Sequence, residues 1–152
     1  MLGNRFFPVV CAVLIAFIGS GCDQGQKTAE VKVDETGLCD FHSGPCTQTI
    51  GENIITLELN PANAPSEKPL KFNLKFSSPV VIGDSRIEGR DMFMGLIPLK
   101  WQQQAENHYQ ASAIYGSCAS GYMVWRLMVS FTDEQGLTKQ AWFDFLADNP
   151  NS

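Results

Sequence analysis

The side chains of this sequence with the clearest capacity for chemistry are its methionines, cysteines and histidines. Met92 and Met94 lie two positions apart in the stretch GRDMFMG, residues 89–95. Thioethers are soft donors that suit Cu(I), and alternate side chains of a strand point to the same side. The pair could therefore hold one metal ion together, or it could fill gaps in a core, as methionine commonly does. We expect packing first and take ligation as the alternative.

Further soft donors lie on both sides of this pair. Cys118 precedes Met123 by five residues in GSCASGYM, in a loop that we expect at the same end of the domain as GRDMFMG. We expect Met123 itself to pack in the core. His42 lies between Cys39 and Cys46 and forms with them a second, looser donor group. The candidate ligands of a Cu(I) ion are thus Met92, Met94, Cys118, Met123 and His42.

Three cysteines, Cys39, Cys46 and Cys118, fall in the part of the chain that we expect to fold. In an oxidising compartment two of them should form a disulfide and leave one thiol over. The spacing leaves all three pairings open. We expect one of the two N-terminal cysteines to pair with Cys118, which would tie the start of the domain to its centre.

Residues 1–21 have the layout of a bacterial secretory signal, with Arg5, an apolar run over 6–18 and small residues before Cys22. The run is shorter than the roughly 20 residues that a helix needs to cross a bilayer. The stretch IGSGC resembles a lipobox, which implies cleavage before Cys22 and acylation of that residue. A plain cleaved signal and an uncleaved anchor are the alternatives. Asp23 resembles an inner-membrane retention signal, so we expect a periplasm-facing lipoprotein of the inner membrane.

The charge balance limits the classes of partner that this protein could bind. The chain has 11 Lys plus Arg against 16 Asp plus Glu, a formal net charge of −5, with no basic cluster. This acidity argues against nucleic acid as a partner and against electrostatic membrane binding, so attachment must come from lipid. Residues 22–37 are polar and lack aromatics, and we expect them to form a flexible tether.

Alternation of apolar and polar residues with period two dominates the rest of the chain. In LKFNLKF, residues 70–76, the apolar side chains fall on one face and the polar ones on the other, as in a half-buried strand. The same period recurs over 55–59, 122–131 and 140–145, and more weakly over 80–88, 96–101 and 108–115. Turn formers separate these runs, including QQQAEN at 102–107. The pattern predicts an all-β fold, an immunoglobulin-like antiparallel β-sandwich of about seven strands over residues 38–148.

Catalytic motifs are missing from the sequence, which contains no G-x-S-x-G, P-loop, C-x-x-C or H-E-x-x-H. His108 is expected at an exposed strand position. We therefore expect a non-enzymatic protein. An interaction module without metal is the alternative to a Cu(I) protein, and its contact patch could use the aromatic residues Trp101, Tyr109, Tyr115, Tyr122 and Trp142.

The arrangement of two N-terminal cysteines, then DMFMG, then C-x4-M-x-W resembles a group of small exported bacterial proteins. It is distantly similar to the FixH and YtkA-like sandwiches linked to copper supply and respiratory oxidase assembly. The resemblance spans roughly residues 39–145. It implies a membrane-tethered accessory domain that handles copper, with an envelope or respiratory-complex protein as its partner.

Overall fold

The computed structural model describes residues 36–149. The signal peptide, Cys22 and nearly all of the expected tether lie outside the described residues. Two antiparallel sheets make up the domain. Its strands are β1 (Cys46–Ile50), β2 (Asn53–Asn60), β3 (Leu70–Phe76), β4 (Val81–Gly89), β5 (Leu96–Pro98), β6 (Gln102–Ala105), β7 (His108–Ala113), β8 (Val124–Thr132) and β9 (Thr138–Leu146).

The strand order confirms the predicted immunoglobulin-like sandwich. One sheet has the order β1-β2-β3-β7-β6 and the other the order β5-β4-β8-β9. With β1 set aside, these orders correspond to A-B-E-D and C′-C-F-G of the immunoglobulin arrangement. The count of nine exceeds the predicted seven or so because two strands, the N-terminal β1 and the short β6, lie outside the predicted runs, whereas β5 falls within the run at 96–101.

The period-two pattern correctly assigned the faces of the longest strands. The alternating apolar residues of β3, Leu70, Phe72, Leu74 and Phe76, are all buried. In β8 the buried series runs from Trp125 to Phe131, and the positions between its members, Arg126, Met128 and Ser130, are only partly buried. Each large apolar side chain buried in this way contributes about 1.5–3 kcal/mol.

Aromatic rings join the two sheets around Phe145 of β9. This ring makes edge or tilted contacts with Phe41, Phe72 and Tyr115, at centroid distances of 6.0, 6.2 and 6.2 Å. Tyr115 also stacks on Trp125 with a centroid distance of 4.7 Å. Rings from the N-terminal segment, from both sheets and from the loop after β7 therefore share one cluster.

Two strands differ from their prediction at the edges of the sheets. Gln102–Ala105, expected as a turn, pairs with β7 through Gln102↔Gln110 and Gln103↔Tyr109. All four of its side chains are exposed, so this strand depends on backbone pairing and leaves no apolar pattern in the sequence. Strand β5 is three residues long, and it ends at Pro98, which lacks the N–H needed for a ladder.

The expected pairing of an N-terminal cysteine with Cys118 is wrong. Cys39 is joined to Cys46, with an S–S distance of 2.03 Å and a Cα–Cα distance of 5.4 Å, and Cys118 is a free thiol. A turn brings the two ends together, because the Ser43 N–H donates to the Asp40 carbonyl at 3.2 Å. The disulfide therefore closes a local loop instead of linking the start of the domain to its centre.

Among residues 36–149 there is no helix with the length and apolarity needed to cross a membrane.

Candidate functional site

Met92 and Met94 lie in the connection between β4 and β5, which we call the methionine loop and define as residues 90–95. Strand β4 ends at Gly89, and the last link to β8 is the Arg90 N–H, which donates to the Val124 carbonyl at 2.9 Å. The prediction that both methionines project from one strand face is therefore wrong, because the strand stops before either is reached.

Two glycines shape the methionine loop. A Cβ at Gly89 would overlap the Met92 carbonyl oxygen and the Cε of Met123, so the loop folds back over this position more closely than any side chain allows. Gly95 has a φ of 87°, in the left-handed region that glycine adopts without strain. The loop is thus closed at one end by a tight contact and at the other by a reversal of the chain.

The side chains of the methionine loop are turned toward solvent. Met92 is 55% exposed, Phe93 80% and Met94 37%, and Leu96 just beyond the loop is also exposed. The expectation that the methionine pair packs in the core is wrong for this reason. Four large apolar side chains within five residues form an apolar tip, of the kind that usually marks a contact surface.

Paired charges surround the base of the loop. Arg90 Nη2 lies 3.0 Å from Asp91 Oδ2, and Arg90 Nη1 lies 3.6 Å from Asp144 Oδ2. Arg126 also binds Asp144, with Nε–Oδ1 at 2.6 Å. Hydrogen bonding to Asp91 raises the pKa of Arg90, and hydrogen bonding to Asp144 raises that of Arg126. Both acidic side chains next to the loop are therefore neutralised by arginines.

Met123 packs in the core, as expected. Its side chain is buried, with the Cε methyl against Gly89 directly beneath the methionine loop. Its position places a third thioether side chain at the base of the same loop.

Cys118 lies in the loop that leads from β7 into β8, at the end of the sandwich that carries the methionine loop. This placement agrees with the sequence expectation. The hydroxyl of Ser120 lies 3.1 Å from its sulfur and holds the pKa of the Cys118 thiol below its usual value, with help from the backbone N–H groups of Ser120 and Ala119. The thiol is partly buried and partly open to solvent.

The looser donor group around His42 is not assembled. Cys39 and Cys46 are consumed by their disulfide, so neither offers the thiolate that a soft metal requires. His42 is exposed, and its backbone N–H donates to Asp40 Oδ1 at 3.1 Å. Within the part of the chain that the structure describes, no group of three or more His, Cys, Asp or Glu side chains could hold a metal ion.

The aromatic residues named as a contact patch are dispersed. Tyr115 is buried, and its hydroxyl donates to the Ala64 carbonyl at 2.5 Å. Trp101 and Tyr109 line a cavity of about 360 Å³ near the start of β4, at the other end of the sandwich. Trp142 faces outward, as alternation predicted, with the Arg126 guanidinium 5.1 Å from its ring centroid. These residues do not form one surface. His108, expected to be exposed, is half-buried.

The sequence did not identify the residues that make the tip of the methionine loop apolar and fix its base. Phe93 is its most exposed side chain, and Gly89, Arg90 and Asp144 hold its base. One signal was available: three consecutive apolar residues between Asp91 and Gly95 break the period-two alternation. An unalternating apolar run bounded by a charge and a glycine indicates a loop tip.

No protein-family model and no curated protein matches this chain. Among solved structures, the chain is similar to the crystal structure of a DUF4426 family protein from Pseudomonas aeruginosa PAO1. The TM-score is 0.52 at 8% sequence identity, and the match covers 70% of this chain and 99% of that one. At this identity the likeness extends to the fold alone, and the resemblance to FixH and YtkA-like proteins stays a prediction.

Proposed function

We propose that this protein is a non-enzymatic accessory lipoprotein of the bacterial cell envelope, anchored by acylated Cys22 and facing the periplasm. It binds its target through the methionine loop. The observation that carries the proposal is the outward exposure of Met92, Phe93 and Met94. Three consecutive apolar side chains are left open here, whereas other exposed large apolar residues, such as Leu137 and Trp142, stand singly in the sequence. A contiguous exposed apolar group of this kind marks a contact surface.

Anchoring and loop binding are tested separately in cells. For anchoring, mass spectrometry of the N-terminal peptide should find Cys22 acylated, and Cys22→Ala should release the protein from the membrane fraction. A parent protein that is unacylated and freely released contradicts the anchor.

For binding through the loop, a photo-reactive amino acid replaces Phe93 in one variant and Leu137 in a matched control. Leu137 is also an exposed apolar residue, but it lies in the β8–β9 turn at the opposite end of the sandwich. Cross-linked products, protein or lipid, should form at position 93 in excess of position 137. Equal yields at the two positions contradict a special role for the loop.

A second candidate function is Cu(I) binding by Met92 and Met94. The observation that favours it is that both thioethers are accessible within one six-residue loop whose ends are fixed by Gly89 and Gly95. Two thioethers alone leave a Cu(I) ion with open coordination positions. Such a site suits transfer, because the receiving protein can supply the missing ligands.

The copper candidate is tested by competition with a chromophoric Cu(I) chelator, using the full-length protein in detergent under reducing conditions. Met92→Leu combined with Met94→Leu should abolish binding of one equivalent. Met128→Leu is the matched control, because Met128 is a half-buried methionine on the outer face of the sheet. Absence of competition by the parent protein, or equal loss in the control, contradicts the copper function.

A further inference from the structure

The methionine loop and the N-terminal start of the domain lie at the same end of the sandwich. Gly89 pairs with Trp125, Trp125 pairs with Phe145, and Phe145 forms a bridge with Cys39. These four residues therefore form one row across neighbouring strands. With about 4.8 Å between strands, Cys39 lies about 14 Å from the base of the loop.

Asp144 connects the two features directly. Its backbone carbonyl accepts the Cys39 N–H at 2.7 Å, while its carboxylate pairs with Arg90 at the first position of the loop. The segment that leads from the N-terminal part of the chain and the apolar tip are thus held to the same residue.

The length of chain before Cys39 sets how far this end stands from the anchor. Seventeen residues, Asp23 to Cys39, follow the proposed acylated Cys22. If these residues form the flexible tether that the sequence predicts, its root-mean-square span would be about 20–25 Å. A nine-residue strand such as β4 is about 30 Å long. The expected tether joins the domain at the end that carries Cys39 and the methionine loop, so this end is the one nearest the anchor along the chain.

The chemistry of the tip suits the interfacial region of a bilayer. Phenylalanine and other large apolar side chains partition there, and unpaired carboxylates oppose it. Phe93, Met92 and Met94 point outward, whereas Asp91 and Asp144 are paired with arginines. The two aspartates at the base of the tip are therefore both paired with cationic side chains.

We infer that the methionine loop inserts Met92, Phe93 and Met94 into the interfacial region of the membrane that carries the protein. This inference rests on the proposed lipid anchor at Cys22. The loop then acts as a second, reversible contact that fixes the orientation of the sandwich on the bilayer and adds to attachment by the acyl chains.

The test uses the full-length lipoprotein, purified in detergent and reconstituted in vesicles of phosphatidylethanolamine and phosphatidylglycerol, with and without acyl-chain-brominated lipid. Tryptophan is introduced as Phe93→Trp or, as the matched control, as Leu137→Trp. The emission of the added tryptophan is obtained by subtracting the parent protein with its three tryptophans. Vesicle flotation is recorded for every sample.

The expected result is a blue-shifted emission from position 93 that brominated lipid quenches, together with unquenched emission from position 137. If Phe93→Trp floats with the vesicles but is not quenched, the lipid contact is wrong while the anchor stands. Equal quenching at both positions also overturns the inference, because contact is then not specific to the loop. If the parent floats no better than Cys22→Ala, the anchor itself fails and the proposed function fails with it.

Discussion

Arg90, the first residue of the methionine loop, is held to strand β9 by an ion pair with Asp144, with Nη1–Oδ2 at 3.6 Å. Asp144 also binds Arg126 at 2.6 Å, and its side chain is 17% exposed. One carboxylate therefore orients two arginines from neighbouring strands, while its backbone carbonyl holds Cys39. The conformation of the loop depends on this residue of a different hairpin.

Replacement of Asp144 should loosen the loop as well as the fold. Asp144→Ala removes the carboxylate that Arg126 binds and one of the two carboxylates that Arg90 binds. Charge-assisted hydrogen bonds of this kind contribute about 1.5–3 kcal/mol each before solvent screening. We expect the free energy of unfolding to fall by about 1–3 kcal/mol and amide hydrogen exchange in residues 90–95 to accelerate. Asp91→Ala is the control, because Asp91 is half exposed and its ion pair should contribute less than about 1 kcal/mol. Equal effects of the two substitutions would contradict the central position of Asp144.

Gly89→Ala should destabilise the domain by overlap with the loop. The new methyl group would meet the Met92 carbonyl oxygen and the Met123 methyl, so one of them must move. Overpacking of this kind typically costs about 1–3 kcal/mol, measured here by urea denaturation. Gly116→Ala provides a control, because a Cβ at Gly116 meets nothing within 4 Å, and we expect a change within about 0.5 kcal/mol. A silent Gly89→Ala would mean that the loop does not fold back over this position.

The disulfide should join Cys39 to Cys46 and leave Cys118 reactive. After alkylation without reductant, peptide mapping should find the linked pair and a modified Cys118. Cys39→Ala with Cys46→Ala opens an eight-residue loop, and chain entropy predicts a loss of about 2.5 kcal/mol in the free energy of unfolding. Cys118→Ala should change it far less. A linked peptide that contains Cys118 would refute this connectivity.

Tyr115 should stabilise the fold through both its hydroxyl group and its ring. Tyr115→Phe removes the hydrogen bond to Ala64. Because the Asp148 N–H still donates to the same carbonyl, the free energy of unfolding should fall by only about 1 kcal/mol. Tyr115→Leu also removes the stacking on Trp125 and should cost about 0.5–1.5 kcal/mol more. Thermal or chemical unfolding of both variants separates the two terms. Equal losses would mean that the stacking adds nothing.

Stability should decline in acid partly through Asp133. Its carboxylate lies 2.6 Å from Lys139 Nζ and accepts the N–H groups of Leu137 and Gln135. The ion pair and these hydrogen bonds hold the pKa of Asp133 below its ordinary value. Because the folded pKa is the lower one, the stabilisation is complete above the unfolded pKa of about 3.9 and is lost as pH falls through the folded pKa.

Asp133→Asn should therefore flatten the acid limb of the curve of unfolding free energy against pH below about pH 4. Glu134→Gln, at an exposed position of the same turn, is the control. If the acid limb of Asp133→Asn has the slope of the parent protein, Asp133 does not carry this pH dependence.

The sequence alone determined which long segments form strands and which of their faces are buried. This was possible because side chains alternate across a strand with a period of two, so the pattern of Leu70–Phe76 or of residues 122–131 specifies its own buried face. The all-β class and the sandwich follow from several such strands, each of which must cover one apolar face. The outward position of Trp142 followed from the same local rule.

The tertiary structure decided everything that depends on which distant segments meet. Cysteine pairing follows from the turn at 40–43, strand β6 from backbone pairing with β7, and the burial of Tyr115 from the ring of Trp125 opposite it. The exposure of the methionine loop is of the same kind. Periodicity predicts which face of its own strand a residue occupies. Met92 and Met94 lie beyond the last residue pair of β4 with β8, where only the surrounding chain determines whether an apolar side chain is covered.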